Sequence, residues 1–248
     1  MNLMDDQFFQ KVVQDIESCE EILRIILQMP DLKVLSNQIE RTIPVLTAHA
    51  VKLDLICEDC NGNIFNVEVQ KANDTNHQKR VRYNMACVDT LSAEKGINYK
   101  DLPDVYVIYI SAFDLFQQGK TIYHVQRSIC ETGTVIENGT HEIYVNTTVD
   151  DGSDIAQLMQ YFKNSTGIHP LFEKLSSQVY YYKESPKGAK NMKSVFDEYA
   201  EEVAAEKVAE RDKEMAVALL KKKIMPLSEI AELTRLPLEE ILALQKAI

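Results

Sequence analysis

At 248 residues, with 45% hydrophobic and 26% charged side chains, the chain has the composition of a soluble globular protein, enough for one sizeable core with an appendage or two modest domains. Its formal net charge of −11 excludes a globally basic nucleic-acid-binding surface, so any phosphate contact must come from a local cluster of Lys and Arg. No apolar run approaches the roughly 18 residues of a membrane span and Met1-Asn2-Leu3-Met4-Asp5-Asp6 lacks a basic leader, so a cytoplasmic protein with no membrane partner is expected.

From the N-terminus, Phe9, Val12, Val13, Ile16, Ile22, Leu23, Ile26 and Leu27 form an apolar stripe that predicts one helix over about Asp5–Gln28, ended by Pro30. This segment carries part of the acidic excess: Asp5, Asp6, Asp15, Glu17, Glu20, Glu21 and Asp31 face only Lys11 and Arg24. An irregular strand is expected near Gln38–Ala48.

Next come two runs rich in β-branched and apolar residues, Val51-Lys52-Leu53-Asp54-Leu55 and Asn66-Val67-Glu68-Val69-Gln70, on either side of the turn-forming Glu58–Asn63. Alternation puts Lys52, Asp54 and Ile56 on one face of the first strand, and Ile64, Asn66, Glu68 and Gln70 on one face of the second. Leu53, Leu55, Cys57, Phe65, Val67 and Val69 form the opposite, apolar faces, which must share a side of the sheet. Facing residue numbers then have an even sum, which a two-residue Asn61-Gly62 turn violates; an odd-length loop or a bulge satisfies it. A three-residue Asn61-Gly62-Asn63 loop sets Asp54 opposite Gln70 and diagonal to Glu68, so the carboxylates converge.

Carboxylates, a backbone carbonyl and water form the hard-oxygen set that Mg²⁺ or Mn²⁺ takes, and a metal held that way polarises a phosphodiester and activates water. The bland alternative is the polar side of a half-buried sheet. Lys71, Lys79, Arg80 and Arg82 follow with only Asp74 against them, a local cationic group. Asp54 with Glu68-Val69-Gln70 resembles the PD-(D/E)XK nuclease superfamily, in particular the recombination-promoting nuclease / putative transposase family, whose members often have Glu-x-Gln in place of Glu-x-Lys. Asp5-Asp6-Gln7-Phe8-Phe9-Gln10-Lys11, the helix around Lys79-Arg80-Val81-Arg82-Tyr83, and Leu227-Ser228-Glu229-Ile230-Ala231 are also similar to that family.

The resemblance implies a restriction-endonuclease-like α/β fold, a mixed central sheet flanked by helices with a helical C-terminal extension. It implies a Mg²⁺- or Mn²⁺-dependent DNA endonuclease linked to recombination or mobile elements. Asp54, Glu68 and the Val69 carbonyl would hold metal, Gln70 would orient water, and Lys71, Lys79, Arg80 and Tyr83 would contact substrate. Asp5, Asp15 and Glu20 are candidates for a further acidic residue from the first helix. Gln70 departs from the superfamily's lysine, and Leu53 stands where a proline is usual. A second reading, a catalytically inactive scaffold that binds protein or DNA, agrees with Gln70, the acidic surface and the helical tail.

Further along, His77–Glu94 reads as a helix closed by Gly96, and Val105–Ile110 as a central strand covered on both faces. Thr121–Ile129 and Glu142–Val149 suggest a hairpin, with helices at about Ser153–Lys163 and Pro170–Lys183. Ser185-Pro186-Lys187-Gly188 divides a nuclease-like domain, 1–184, from an extension, 185–248, that suits packing or homo-oligomerisation. The extension opens with a charged helix, about Ala189–Lys223, whose eight acidic and seven basic residues between Lys193 and Lys223 give it a solvated face, and whose Lys221-Lys222-Lys223 run opposes the helix dipole. Two short helices follow around Thr234-Arg235-Leu236-Pro237, in the outline of a helix-turn-helix whose second helix offers no Arg or Lys before Lys246.

Five cysteines point to reduced thiols, with Cys57 of Cys57-Glu58-Asp59-Cys60 on the apolar side. No phosphate-binding glycine loop, HExxH or GxSxG motif is present, and His141 and Glu142, or His169 and Glu173, support no triad.

Overall fold

The structure, a computed structural model, describes residues 1–43, 51–74, 76–93, 97–222 and 225–247. Six strands, β1 (Val34–Ile43), β2 (Val51–Asp59), β3 (Ile64–Gln70), β4 (Val105–Ser111), β5 (Ile122–Val125) and β6 (Thr140–Asn146), form one sheet in the order β1-β2-β3-β4-β6-β5. The pairs β3/β4 and β4/β6 are parallel and the others antiparallel. This is the mixed sheet with flanking helices and a helical C-terminal region that the sequence predicts. Val105–Ser111 is buried at every residue, as a strand with a parallel neighbour on each side requires.

The N-terminal stripe forms two helices, α1 (Asp6–Val12) and α2 (Ile16–Leu27), where one was expected. The Asp15 carboxylate accepts the Ser18 N–H at 2.9 Å and the Ser18 hydroxyl at 2.8 Å, so an N-cap interrupts a stripe whose apolar periodicity continues across it. Both helices pack on the sheet through β1 and β2, and α4 (Asp154–Asn164) and α5 (Glu173–Glu184) pack against them. β1 starts at Val34 rather than near Gln38, and residues 44–48 of the expected strand lie outside the described residues. Helix α3 (His77–Ser92) makes the crossover between β3 and β4 and covers the other face, where Val81, Met85 and Val88 join Ile56, Val107 and Tyr109. The expected closure at Gly96 and the final Glu94 lie outside the described residues. The hairpin of β5 and β6 is shorter than predicted, extended by a lone bridge between Ser128 and Val135.

The β2/β3 register corrects the sequence reading by two residues. Its parity is even as predicted, but Glu58 pairs with Ile64, Cys57 with Phe65 and Leu55 with Val67. The odd-length loop is therefore Cys60-Asn61-Gly62, one residue earlier than expected, with Gly62 at φ 83° and its N–H bonded to the Asp59 carbonyl. Asp59 selects this loop. Its Oδ1 accepts the N–H groups of Asn61 (2.9 Å) and Asn63 (2.8 Å), and its Oδ2 accepts the Asn63 side-chain amide at 2.9 Å. Continued one step past Leu55 and Val67, the register sets Asp54 directly across from Glu68 instead of Gln70.

Contacts divide the chain into two compact units, Met1–Met192 and Lys193–Ile248. Pro186 and Gly188, expected to punctuate a boundary, lie in the first turn of α6 (Pro186–Lys222), one residue after α5 ends. A Cβ on Gly188 would stand 2.1 Å from the Tyr181 carbonyl, so the α5–α6 corner admits only glycine there. Lys223 lies outside the described residues. In the second unit Ala216 and Leu220 pack with Ile230 of α7 (Leu227–Thr234) and Ile241 of α8 (Leu238–Ala247). Arg235 caps α7 in the left-handed conformation, φ 58°.

Cys57 is buried as predicted and Cys60 is exposed, so the CxxC pair presents no common site. Replacing Asp59 by Ala leaves the turn amides without their acceptor; chemical denaturation is expected to show a loss of about 2 kcal/mol.

Candidate active site

Glu68 lies in the middle of the sheet and is 0% exposed; Asp54 is mostly buried beside it. The side chains take over hydrogen bonds that the backbone ladder abandons here. In β1, Ile39 pairs with Leu55 and Arg41 with Leu53, but Glu40 between them stands at φ 51° and drops out of the ladder. The Asp54 N–H opposite it turns to Glu68 Oε1 at 3.3 Å. The Val69 N–H in turn donates to Asp54 Oδ2 at 3.0 Å. A non-glycine residue held at positive φ marks a strained backbone at this position.

On β3 the even-numbered residues bond to β4: Ile64 N–H donates to Asp104 and Ala112 N–H to the Gln70 carbonyl. Val69 therefore directs its own N–H and carbonyl toward β2, beyond the end of the β2/β3 ladder. The two carboxylates are tied to each other's strands here, Glu68 by the Asp54 N–H and Asp54 by the Val69 N–H.

The face that carries these polar residues is covered by α3, which excludes the alternative of a solvated polar side. Asn66, also 0% exposed, donates its side-chain amide to Glu68 Oε1 at 2.9 Å and to the Leu55 carbonyl at 3.1 Å. Arg80, at the end of the first turn of α3, divides its guanidinium between Gln70 Oε1 (3.0 Å) and Glu68 Oε2 (3.2 Å). Gln70 completes its bonding by donating Nε2 to the Ala72 carbonyl at 3.0 Å. The guanidinium therefore bridges Gln70 at the end of β3 and the buried Glu68.

Burial pushes the Asp54 carboxyl well above its usual range, and the Glu68 charge adds to the shift, while the Val69 N–H opposes it. Glu68 is also raised by burial, with Asn66 and Arg80 pulling the other way. One guanidinium does not neutralise two buried carboxylates, and the remaining negative charge is what a divalent cation would compensate. Among the described residues no three His, Cys, Asp or Glu side chains cluster as a ready-made metal cage. The donor set nevertheless fits Mg²⁺, which keeps several waters and takes one or two protein carboxylates together with substrate phosphate oxygens.

Of the other sequence-predicted residues, Lys71 is exposed and ion-paired with Asp5, and Lys79 is exposed one residue before Arg80. Tyr83, three residues on from Arg80 along α3, is 39% exposed and interacts with the Cys87 thiol. Asp15 and Glu20 do not reach the site: Asp15 caps α2, and Glu20 binds Arg24 (2.7 Å) and the Val34 N–H (2.8 Å). The acidic residue of the first helix whose charge reaches Asp54 is Asp6, which the sequence reading did not single out. The protein packed around Asp6 raises its carboxyl pKa against the pull of Lys71 and Arg80, but the side chain remains open to water, which weakens the effect. The Asp5-Asp6 pair at the start of α1 is its sequence signal.

The family described as PD-(D/E)XK nuclease family transposase matches residues 19–148, a span that includes Asp54, Glu68, Gln70 and Arg80. No curated protein and no solved structure matches.

Because both carboxyl pKa values lie higher in the folded than in the unfolded chain, wild-type stability falls as pH rises from the ordinary carboxylate range through those raised values. Asp54→Asn removes one of the opposed charges. Thermal or urea unfolding at pH 7 is expected to show that variant more stable than wild type by about 1 kcal/mol, with a flatter dependence on pH.

Proposed function

The chain belongs to the PD-(D/E)XK nuclease family of transposases, and from that premise we propose that it is a metal-dependent DNA endonuclease serving recombination or mobile elements in the cytoplasm. The observation that carries this reading is the uncompensated Asp54–Glu68 pair, buried at the end of a strand ladder with a guanidinium beside it. Asp54, Glu68 and the Val69 carbonyl hold the metal. Bound there, Mg²⁺ or Mn²⁺ supplies polarisation of the scissile phosphodiester and activation of water.

The protein's own groups do the rest. Gln70 cannot carry charge or act as a base, so its role is positional: its Oε1 seats Arg80, and the two together orient phosphate and water at the metal. Arg80 supplies the positive charge that lysine provides elsewhere, and its planar fork suits phosphate oxygens. Its present bond to the Glu68 carboxylate keeps that charge at the reacting position. Lys79 and Tyr83, on the same helix, contact the DNA backbone, and Lys71 joins them by exchanging Asp5 for phosphate. We assign this activity to residues 1–184, and packing or homo-oligomerisation to 185–248.

The test is nicking of supercoiled plasmid with and without Mg²⁺ or Mn²⁺. Nicking is expected to require metal and to fall at least about 100-fold in Asp54→Ala and Glu68→Ala. Arg80→Ala is expected to cost about as much, and Arg80→Lys less, because it keeps the charge and loses the fork. Metal-dependent nicking that survives in both acidic variants would contradict the proposal.

A further inference from the structure

Next to the site lies a buried hydrogen-bonded pair to which the proposed chemistry gives no part. Tyr109 of β4 is the direct register partner of Glu68 and is 0% exposed. Its hydroxyl stands 2.6 Å from Nδ1 of His77, the first residue of α3. His77 Nε2 lies 3.0 Å from the Asn73 side-chain oxygen, an acceptor, so Nε2 carries the ring proton and Nδ1 accepts the Tyr109 O–H. The imidazole is buried, packed at 4.9 Å against the Phe113 ring.

These contacts close a ring of residues around the site. Glu68 neighbours Tyr109 across β3/β4, Tyr109 holds His77, His77 sits one helical turn before Arg80, and Arg80 returns to Glu68 at 3.2 Å. The apolar contacts of α3 with the sheet begin at Val81, so they fix the helix from its second turn onward. Ahead of Val81, Asn76 caps the helix locally by accepting the Lys79 N–H, a bond that does not reach the sheet. The His77–Tyr109 bond does reach it and fastens the first turn to β4. We propose that Tyr109 and His77 are positioning residues that fix the first turn of α3 on β4 and thereby hold the Arg80 guanidinium against Glu68 and Gln70. The catalytic consequence rests on the endonuclease reading; the geometric claim does not.

Tyr109→Phe deletes one hydroxyl and keeps the ring. His77→Asn keeps an acceptor near the place of Nδ1, whereas His77→Phe removes it. In the full chain, the Arg80 guanidinium Nη–H signal, assigned by its loss in Arg80→Lys, is expected to be dispersed and slow to exchange in wild type. In Tyr109→Phe and His77→Phe it should move toward the free-arginine position with exchange accelerated about 10-fold or more, and His77→Asn should restore it. In plasmid nicking, Tyr109→Phe should lower kcat about 10-fold with KM unchanged, and should add no loss in an Arg80→Ala background. An unmoved Arg80 signal in a folded Tyr109→Phe protein overturns the proposal, as does an equal loss of activity with and without Arg80. If wild type does not nick, the endonuclease reading fails, and the Arg80 resonance alone decides whether the positioning claim stands.

Discussion

Two carboxylates opposed inside a sheet are the constraint on which the rest of this structure depends. Asp54 and Glu68 face each other where water is largely excluded; burial raises both carboxyls, and the Glu68 charge raises Asp54 further. A fold driven only by burial would put apolar residues at both positions. Here the surroundings are arranged to keep the acids in place: Glu40 leaves the β1 ladder at positive φ, the freed Asp54 N–H binds Glu68, the Val69 N–H binds Asp54, and Asn66 holds Glu68 from below. The result is a donor set with fixed directions and unspent negative charge. That is the condition under which a hard divalent cation binds with few protein ligands.

A formal net charge of −11 is unfavourable for the proposed action on DNA. Spread over the chain it gives little general attraction to phosphate, so the proposed activity requires a few cations held at the site. Arg80 is fastened by Gln70 and Glu68, whereas Lys71 is exposed and paired with Asp5. In that pattern the neutral Gln70 amide accepts the guanidinium from α3, so the positive charge beside Glu68 comes from a helix and not from the strand itself.

The parts of this arrangement that were legible in the sequence are those governed by periodicity. Alternation placed Asp54, Glu68 and Gln70 on one face, and the parity of the apolar residues required an odd hairpin loop. The continuous apolar run at Val105–Ile110 identified the central strand. What escaped depends on single polar side chains competing for backbone groups. Asp59 captures the amides of Asn61 and Asn63 and moves the loop by one residue, which turns a diagonal carboxylate pair into a direct one. Asp15 captures Ser18 and splits a helix that the apolar stripe describes as continuous. The influence of Asp6 on Asp54 joins elements far apart in the chain, and the bond of Arg80 to Gln70, ten residues on, depends on how α3 turns back over β3; no periodicity encodes either.

The central claim is that the Asp54–Glu68 pair binds a divalent cation, and diffraction from crystals grown with Mn²⁺ tests it most directly. An anomalous difference peak about 2.0–2.3 Å from oxygens of both carboxylates, within reach of the Val69 carbonyl, is the predicted result. Well-ordered carboxylates with no peak between them at saturating Mn²⁺, Arg80 still bonded to Glu68, would contradict it.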